Sequence, residues 1–307
     1  MKYVLITPAR NEEAFIEKTI LSVIGQTVLP ERWVIIDDGS TDRTGEIIDR
    51  YAKEYRWIEP VHNPKRLERN FAAKAQAVNG ALERVRNLQF EIVGNLDADV
   101  SFEPDYMAFL LGKFAIDSKL GVVGTLFTQS GGYDFTKDSF EGESYVAGPC
   151  QLFRRKCFCE IGGYVANRAG GVDWIAVMTA RMKGWKVRSF AEKRFHHHRS
   201  MGTAEKGGVA ALFSYGEKDY YLGGSAIWQI FRMAYQMAKP PLVAGGLALL
   251  SGYCWAAVRR VERPVSRELM QFHRRDQMKK LKAILRSMVR LRKVDNFSLA
   301  TGNRQAR

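Results

Sequence analysis

Two aspartates, Asp97 and Asp99, stand one residue apart, just past the short apolar run 90–93. Such a run is typical of a buried strand, and ligands of open α/β sheets bind just beyond the carboxyl ends of strands. Two carboxylates with a small residue between them can share one divalent cation, or bind one cation and a sugar hydroxyl. A cation held in this way can bridge to a diphosphate. The triplet predicts such a site, although an ordinary Asp-rich turn would read the same way.

Two further acidic clusters stand where predicted strands or loops end. Asp37 and Asp38 follow the apolar run 33–36, and Asp173 follows Gly170-Gly171. One carboxylate can accept a hydrogen bond from a nucleobase, a pair can hold a cation against a diphosphate, and another can take the proton of an attacking hydroxyl. Together the clusters predict transfer from a nucleotide-activated donor. Helix capping is the alternative for Asp37, Asp42 and Asp173, and we prefer it for Asp42.

Apolar periodicity predicts alternating strands and helices through the first two hundred residues. The predicted strands cover 3–7, 33–36, 58–62, 90–93, 121–128 and 186–190. The first predicted helix follows Asn11, which we take as its cap. The later predicted helices cover 44–55, 72–85, 104–114 and 173–182. Short connections between such elements favour a parallel, doubly wound α/β sheet.

Three segments, taken in chain order, resemble a family-2 glycosyltransferase of the GT-A fold: Pro8-Ala9-Arg10-Asn11-Glu12, Asp37-Asp38-Gly39-Ser40-Thr41-Asp42, and Asp97-Ala98-Asp99. Gly162-Gly163-Tyr164 followed by Val172-Asp173 is similar to that family's acceptor-side segment. The resemblance covers about residues 1–200, and the ordered set is more specific than any one motif. It implies an inverting transferase that uses a UDP-, GDP- or dTDP-sugar and Mg²⁺ or Mn²⁺. The implied fold is a doubly wound, Rossmann-like mixed sheet flanked by helices.

The resemblance also implies roles for single residues. Those assigned to the nucleotide sugar are Pro8, Arg10, Glu12, Asp38 at the base, and Asp97 at the ribose or the metal. Asp99 would bind the metal and Asp173 would be the general base. The histidine run 196–198 offers a third metal ligand, either His197 or His198, with a solvated turn as the alternative. Lys74 and Arg69 could each reach a phosphate or be surface charges.

Two positions depart from the family's pattern. Val172 stands where the family usually has an acidic residue before the base. The Gln-x-x-Arg-Trp signature of processive synthases is present only as Gln229-Ile230-Phe231-Arg232-Met233, without the tryptophan. We therefore expect transfer of a single sugar.

Charge divides the chain into a nearly balanced body and a basic tail. The formal charge is +14 over 307 residues, and +11 of it lies in 259–307. We expect a catalytic domain over 1–222 and a helical basic region over 223–307. A basic tail favours an acidic partner, either anionic lipid or nucleic acid, and here we expect lipid and no nucleic acid. The four cysteines form no zinc-type pair of pairs, which favours a reduced, cytosolic body.

The charge-free stretch 242–258 is just long enough to be a membrane-span candidate. A single crossing would export the basic tail, against the positive-inside tendency, because nucleotide sugars are cytosolic. We therefore expect 241–258 to lie in or dip into the cytoplasmic leaflet, helped by the basic helix that follows. A helical subdomain packed on the body is the alternative. The expected location is the cytoplasmic face of the cell membrane, peripheral or monotopic, with a lipid-linked or polysaccharide acceptor in cell-envelope glycan synthesis.

Two rival functions remain. A nucleotidyltransferase would carry a Gly-x-Gly-x-Arg loop after the first strand. The segment at that place, Pro8 to Glu12, does not have this pattern. A catalytically inactive, basic-tailed binding protein for anionic lipid or nucleic acid would not need all three acidic clusters, and all three are present.

Overall fold

The computed structural model of the protein describes residues 1–64, 71–129, 142–167, 170–199 and 208–289. The chain divides into two compact units, Met1–Arg199 and Ser200–Arg307. By packing, the segment 208–222 belongs to the second unit, whereas the sequence pattern groups it with the catalytic domain. The functional boundary at residue 222 stays a prediction.

The first unit is built on a mixed sheet, which confirms the expected fold class. Within the described residues its eight strands are β1 Tyr3–Ala9, β2 Arg32–Asp37, β3 Ile58–His62, β4 Ile92–Leu96, β5 Val100–Ser101, β6 Leu120–Gln129, β7 Cys150–Arg154 and β8 Lys186–His197. Their order across the sheet is β3-β2-β1-β4-β7-β6-β8-β5. The first four strands are parallel, as alternation predicts. β7 runs antiparallel to β4 and β6, and β5 runs antiparallel to β8.

Helices cover both faces of this sheet, and the central strands are therefore buried on both sides. The described helices of the first unit are α1 Ile16–Ile24, α2 Thr44–Glu54, α3 Phe71–Arg84, α4 Tyr106–Ile116, α5 Arg155–Glu160 and α6 Val172–Met182. Strands covered in this way are continuous apolar runs rather than alternating ones. In β1 the residues from Tyr3 to Thr7 are all buried. The buried hydroxyl of Thr7 has a partner, because the indole N–H of Trp33 donates to Thr7 Oγ1 at 2.9 Å.

The predicted cap of α1 is wrong. Asn11 has a φ of +53° and its side-chain oxygen accepts a hydrogen bond from the backbone N–H of Thr41 at 2.9 Å. The helix begins only at Ile16. Asparagine tolerates this left-handed backbone because its short side chain can bond locally. Asn11 thus ties the loop after β1 to the loop after β2, two loops that border the predicted site.

The second unit contains helices α7 Gly208–Tyr221, α8 Ala226–Met237, α9 Val243–Val258 and α10 Arg267–Val289. α9 packs closely against α7 through two glycines. A β-carbon on Gly216 would meet the backbone of Leu249, and one on Gly252 would meet the backbone of Phe213. Among the described residues, no helix combines the length and the apolar character that crossing a membrane requires.

The glycine contacts generate a stability prediction. Gly216→Ala should lower the free energy of unfolding by about 2 kcal/mol or more, because its methyl group would overlap rigid backbone rather than a flexible side-chain tip. Gly112→Ala is the matched control, since Gly112 lies inside α4 with open space at its β-carbon position. That change should stabilise by about 0.5–1 kcal/mol through helix propensity. Urea unfolding measures both, and equal tolerance of the two changes would contradict the close approach of α7 and α9.

A histidine joins the ends of β2 and β3. His62 Nδ1 lies 3.3 Å from Asp37 Oδ2, and Nε2 lies 2.9 Å from Asp49 Oδ1 of α2. Burial by itself lowers the pKa of His62, but the hydrogen bonds and charges of the two carboxylates outweigh it and raise that pKa. The folded protein therefore binds this proton more tightly than the unfolded chain does.

This raised pKa predicts how the contribution of His62 depends on pH. The contribution is fully present below the unfolded pKa of about 6.5 and is lost as the pH rises through the higher folded pKa. His62→Gln should lower the melting temperature more at acidic than at alkaline pH. The effect should stay below about 1 kcal/mol because the imidazole is partly exposed. A loss of melting temperature that is the same across the pH range would contradict the ion pairs.

Candidate active site

The acidic clusters meet at one edge of the sheet because β1 pairs with two strands. Ala9 of β1 lies opposite Asp37 of β2, and Ile6 lies opposite Asn95 of β4. All three strands are parallel, so the loops that follow them leave from the same edge. The backbone N–H of Asp38 donates to the carbonyl of Ala9 at 2.8 Å, which fixes the second loop against the first. Asp97 leaves β4 on the other side of β1.

A histidine from the far end of the unit joins the aspartates. β5 follows Asp99 directly, and its pairing with β8 sets Val100 opposite His197. The next backbone N–H, that of His198, donates to the carbonyl of Asp99 at 2.8 Å. As a result, ligand atoms of Asp97, Asp99 and His197 lie within 4.8 Å of one another. Both Asp99 and His197 are buried, with Asp99 Oδ1 3.3 Å from His197 Nε2.

The two candidate histidines lie in different places. The His198 ring has its Nε2 3.0 Å from Ser101 Oγ and stacks on Phe15, with the ring centroids 5.9 Å apart. His197 is the last residue of β8 and His198 follows the strand. His197 Nε2 faces Asp99, whereas His198 Nε2 faces Ser101. In the part of the chain that the structure describes, the cluster of possible metal ligands consists of Asp97, Asp99 and His197. The resemblance placed Asp97 either at the ribose or at the metal, and the structure brings it beside the other two ligands.

The two carboxylates are held in different electrostatic states. Burial raises the pKa of Asp97, and the neighbouring Asp99 adds to this, while Lys74 Nζ at 2.5 Å from Asp97 Oδ1 opposes it. Burial also works to raise the pKa of Asp99, but the hydrogen bond from His197 and the charge of Arg199 outweigh it and lower that pKa overall. Asp99 is thus kept anionic, and part of the charge of Asp97 is balanced by an internal cation.

The donor set fits a divalent cation of the Mg²⁺ or Mn²⁺ type. Two carboxylates suit hard cations, and one imidazole nitrogen is acceptable to Mn²⁺. The other ring nitrogen of His197, Nδ1, is buried and has no hydrogen-bond partner among the described residues. Nδ1 is thus a buried polar atom that packing alone does not account for, while Nε2 faces Asp99. Asp97, Asp99 and His197 are the residues that would hold the ion.

Asp173 lies in the first turn of α6, and its carboxylate does not cap that helix. Gly171, with a φ of +77°, occupies the cap position, and α6 begins at Val172. Instead, Tyr145 OH lies 3.4 Å from Asp173 Oδ2, and a β-carbon on Gly148 would collide with the Asp173 carboxylate. The capping alternative for this residue is therefore not supported.

A backbone connection holds Asp97 and Asp173 in one arrangement. The N–H of Asp97 donates to the carbonyl of Pro149 at 2.8 Å, and Asn95 Nδ2 donates to the carbonyl of Gly148 at 3.2 Å. The same Gly148 is the residue over which Asp173 lies. The ammonium of Lys74 is close enough to Asp97, Asp99 and Asp173 for each carboxylate to raise its pKa against the lowering effect of burial. Lys74 is thus the common counter-charge of the site.

The predicted nucleotide-binding residues surround this cluster on the side of β1 and β2. Pro8 and Arg10 are half-buried at the end of β1. Glu12 Oε2 is 2.7 Å from Arg199 Nη2, and Arg199 Nε is 3.8 Å from Asp99 Oδ2, so Arg199 connects the first loop to the metal cluster. Asp38 Oδ1 accepts a hydrogen bond from Asn63 Nδ2 at 3.1 Å.

The remaining acidic candidates have local structural roles. Asp37 Oδ1 accepts the N–H of Ser40 at 2.9 Å. Asp42 Oδ1 accepts the N–H of Thr44, the first residue of α2, at 3.0 Å, but the cap position itself is occupied by Arg43, so Asp42 supports the start of the helix from one residue before the cap. Arg69 lies outside the described residues.

Sequence reasoning missed three residues of this site: Tyr145, Gly148 and Arg199. Arg199 directly follows the histidine run, so its charge beside a candidate ligand was a usable signal. Gly148 stands next to a proline just before β7, a pattern typical of a close backbone approach. Nothing in the spacing of Tyr145 pointed to Asp173.

Comparison with known proteins places this geometry in a family. The family model described as Glycosyl transferase family 2 matches residues 4–168, more than half of the chain. The chain is 39% identical over 101 residues to the putative teichuronic acid biosynthesis glycosyltransferase TuaG of Bacillus subtilis (strain 168), covering 33% of this chain and 37% of that one. The chain spans only 25–37% of the length of the first curated relatives that it matches.

Two solved structures share the fold at low sequence identity. The S. aureus protein TarS, residues 1–349 in complex with UDP-GlcNAc, has a TM-score of 0.57 at 17% identity, covering 99% of this chain and 92% of that one. Mannosyltransferase PcManGT from Pyrobaculum calidifontis, in complex with GDP-Man and Mn²⁺, has a TM-score of 0.56 at 18% identity, covering 94% and 80%. The fold is that of GT-A glycosyltransferases, and with its family model matched over more than half its length, the chain belongs to Glycosyl transferase family 2.

Proposed function

We propose that the protein is an inverting, metal-dependent glycosyltransferase that moves one sugar from a nucleotide-diphosphate sugar to an acceptor hydroxyl. The observation that carries the proposal is the cluster of half-buried Asp97 with buried Asp99 and His197, which shares the counter-charge Lys74 with Asp173. A cation site and a separate carboxylate that is not consumed in capping are the two parts that such a transfer needs.

The relatives support the donor class and the biological setting. One structural neighbour binds UDP-GlcNAc, and the other binds GDP-Man with Mn²⁺. The name of TuaG refers to teichuronic acid biosynthesis, and another relative is a poly-β-1,6-N-acetyl-D-glucosamine synthase. These names support a role in cell-envelope glycan synthesis, with a polysaccharide or lipid-linked glycan as acceptor.

The chain's own residues then divide the work. Asp173 takes the proton of the acceptor hydroxyl, which attacks the anomeric carbon on the face opposite the departing diphosphate, and this geometry inverts the anomeric centre. When bound, Mg²⁺ or Mn²⁺ supplies neutralisation of the charge that develops on the leaving phosphate. Lys74 adds positive charge from a fixed position, and Tyr145 and Gly148 hold the Asp173 carboxylate in place.

Single transfer is also supported by the second unit. Gln229 Nε2 donates to the carbonyl of Leu249 at 2.9 Å, and Arg232 Nη1 lies 3.3 Å from Asp219 Oδ1. These two residues, which correspond to the polar part of the processive signature, are engaged in packing within that unit.

The donor and the metal site can be tested together by melting temperature. UDP, GDP, dTDP and CDP are each added with and without Mn²⁺ to the wild type and to Asp99→Asn. One nucleotide should raise the melting temperature of the wild type in a Mn²⁺-dependent way, because a ligand of the folded state stabilises it. Asp99→Asn should remove the Mn²⁺-dependent part. If no nucleotide shifts the wild type, the binding-protein alternative replaces this proposal.

The role of Asp173 separates catalysis from binding. Asp173→Asn should reduce transfer by about 10²–10⁴-fold, the usual range for loss of a general base, while leaving the nucleotide affinity unchanged. Asp117→Asn is the matched control, an Asp-to-Asn change in the same unit at a carboxylate that bonds Lys119 and Lys186, and it should keep transfer near the wild-type rate. Product formation is followed with the donor identified above. Retention of most activity by Asp173→Asn would contradict the assignment.

A further inference from the structure

One side of α9 is apolar and exposed. Its buried residues are Gly245, Gly246, Leu249, Gly252, Tyr253 and Ala256, and the three glycines approach α7 or α8. Its other side, called here the α9 face, consists of Ala244, Leu247, Ser251, Cys254, Trp255 and Val258, all exposed. These residues recur every three or four positions, so they form one stripe along the helix. Leu247 is 50% exposed, Trp255 47% and Val258 79%.

Positive charges flank this stripe along the chain, and the ammonium of Lys239 lies 4.7 Å from the centroid of the Tyr235 ring of α8. Residues 240–258 contain no charged side chain, Lys239 precedes them, and Arg259 and Arg260 follow directly. Arg259 lies over the Trp255 ring, with its Cζ 4.5 Å from the ring centroid. Tryptophan and arginine are both favoured where apolar chains meet polar headgroups.

We propose that the α9 face docks in the plane of an anionic lipid bilayer surface, with Leu247, Trp255 and Val258 among the acyl chains and the basic ends at the headgroups. The helix has 16 residues, which corresponds to about 24 Å, shorter than the hydrocarbon core of a bilayer. An apolar stripe of this length with basic ends matches a helix that lies at the interface rather than one that crosses it.

Charge argues against a second copy of the chain as the occupant. In a two-fold contact between antiparallel α9 helices, the Arg259 and Arg260 end of one copy would lie beside the Lys239 end of the other. Such a contact would oppose like charges at both ends of an apolar interface. An anionic bilayer attracts both ends at once.

Sedimentation with vesicles tests the proposal without donor or metal, so that its failure is distinct from failure of the proposed enzymatic function. The wild type should pellet with vesicles of phosphatidylcholine and phosphatidylglycerol and much less with phosphatidylcholine alone. Leu247→Gln combined with Trp255→Gln should lower the partition coefficient by about tenfold or more. Leu21→Gln is the control, since Leu21 is 52% exposed in the first unit, and it should bind as the wild type does.

A fluorescent label reports where the bilayer touches the protein. Cys254 and Cys159 are exposed, whereas Cys150 and Cys157 are buried. A polarity-sensitive label on Cys254 in Cys159→Ser should shift to the blue with anionic vesicles. The same label on Cys159 in Cys254→Ser should not shift.

Three results would overturn the proposal. Undiminished vesicle binding by the double variant would place the attraction in basic residues alone. A blue shift at Cys254 that grows with protein concentration in the absence of vesicles would identify a second copy as the occupant. A label that is already blue-shifted in dilute protein without vesicles would mean that another segment of the chain covers the α9 face.

Discussion

The pairing of β5 with the end of β8 is the constraint on which the site depends. β5 has only two residues, yet its register sets Val100 opposite His197 and allows the N–H of His198 to bond the carbonyl of Asp99. It joins a loop at the end of β4 to a residue about a hundred positions later. A slip by one residue would break these pairings and shift the end of β8, with His197, relative to Asp99. The close approach of Asp97, Asp99 and His197 therefore depends on this pairing.

The charges of the site are balanced inside the protein. Two carboxylates so close together, one buried and one half-buried, would repel each other, and burial would favour their neutral forms. Lys74 lies against Asp97, while His197 and Arg199 lie against Asp99, and these contacts keep the pair compatible with folding. Arg199 also bonds Glu12, so the loop after β1 and the cluster after β4 respond to the same cation. A bound divalent ion and diphosphate would enter a site whose counter-charges are already placed.

Features that depend on contacts between residues close in the sequence could be predicted, and features that depend on contacts between distant segments could not. The acidic loops follow from apolar runs that end abruptly, and the position of those loops at one edge follows from parallel strands. The antiparallel insertion of β7 between β4 and β6 depends on pairing between distant segments, which no local pattern reports. The position of His197 beside Asp99 likewise depends on a distant pairing, that of β5 with the end of β8. The local sequence around Asn11 predicts a helix cap. In the structure its side chain instead bonds Thr41, thirty residues away, and α1 begins at Ile16.

The second unit shows why one apolar segment supported two interpretations. The charge-free sequence of α9 fits a membrane helix and equally a packed one. In the structure one side of α9 packs against neighbouring helices, and the other side is an exposed apolar surface. Glycines and Leu249 form the side where α7 and α8 approach, and close approach of backbones needs small residues there. The larger Leu247, Trp255 and Val258 then fall on the exposed side, because a three- to four-residue period assigns them there. Packing through glycine thus leaves the bulk of the apolar surface of α9 facing outward, where the described helices α7 and α8 do not use it.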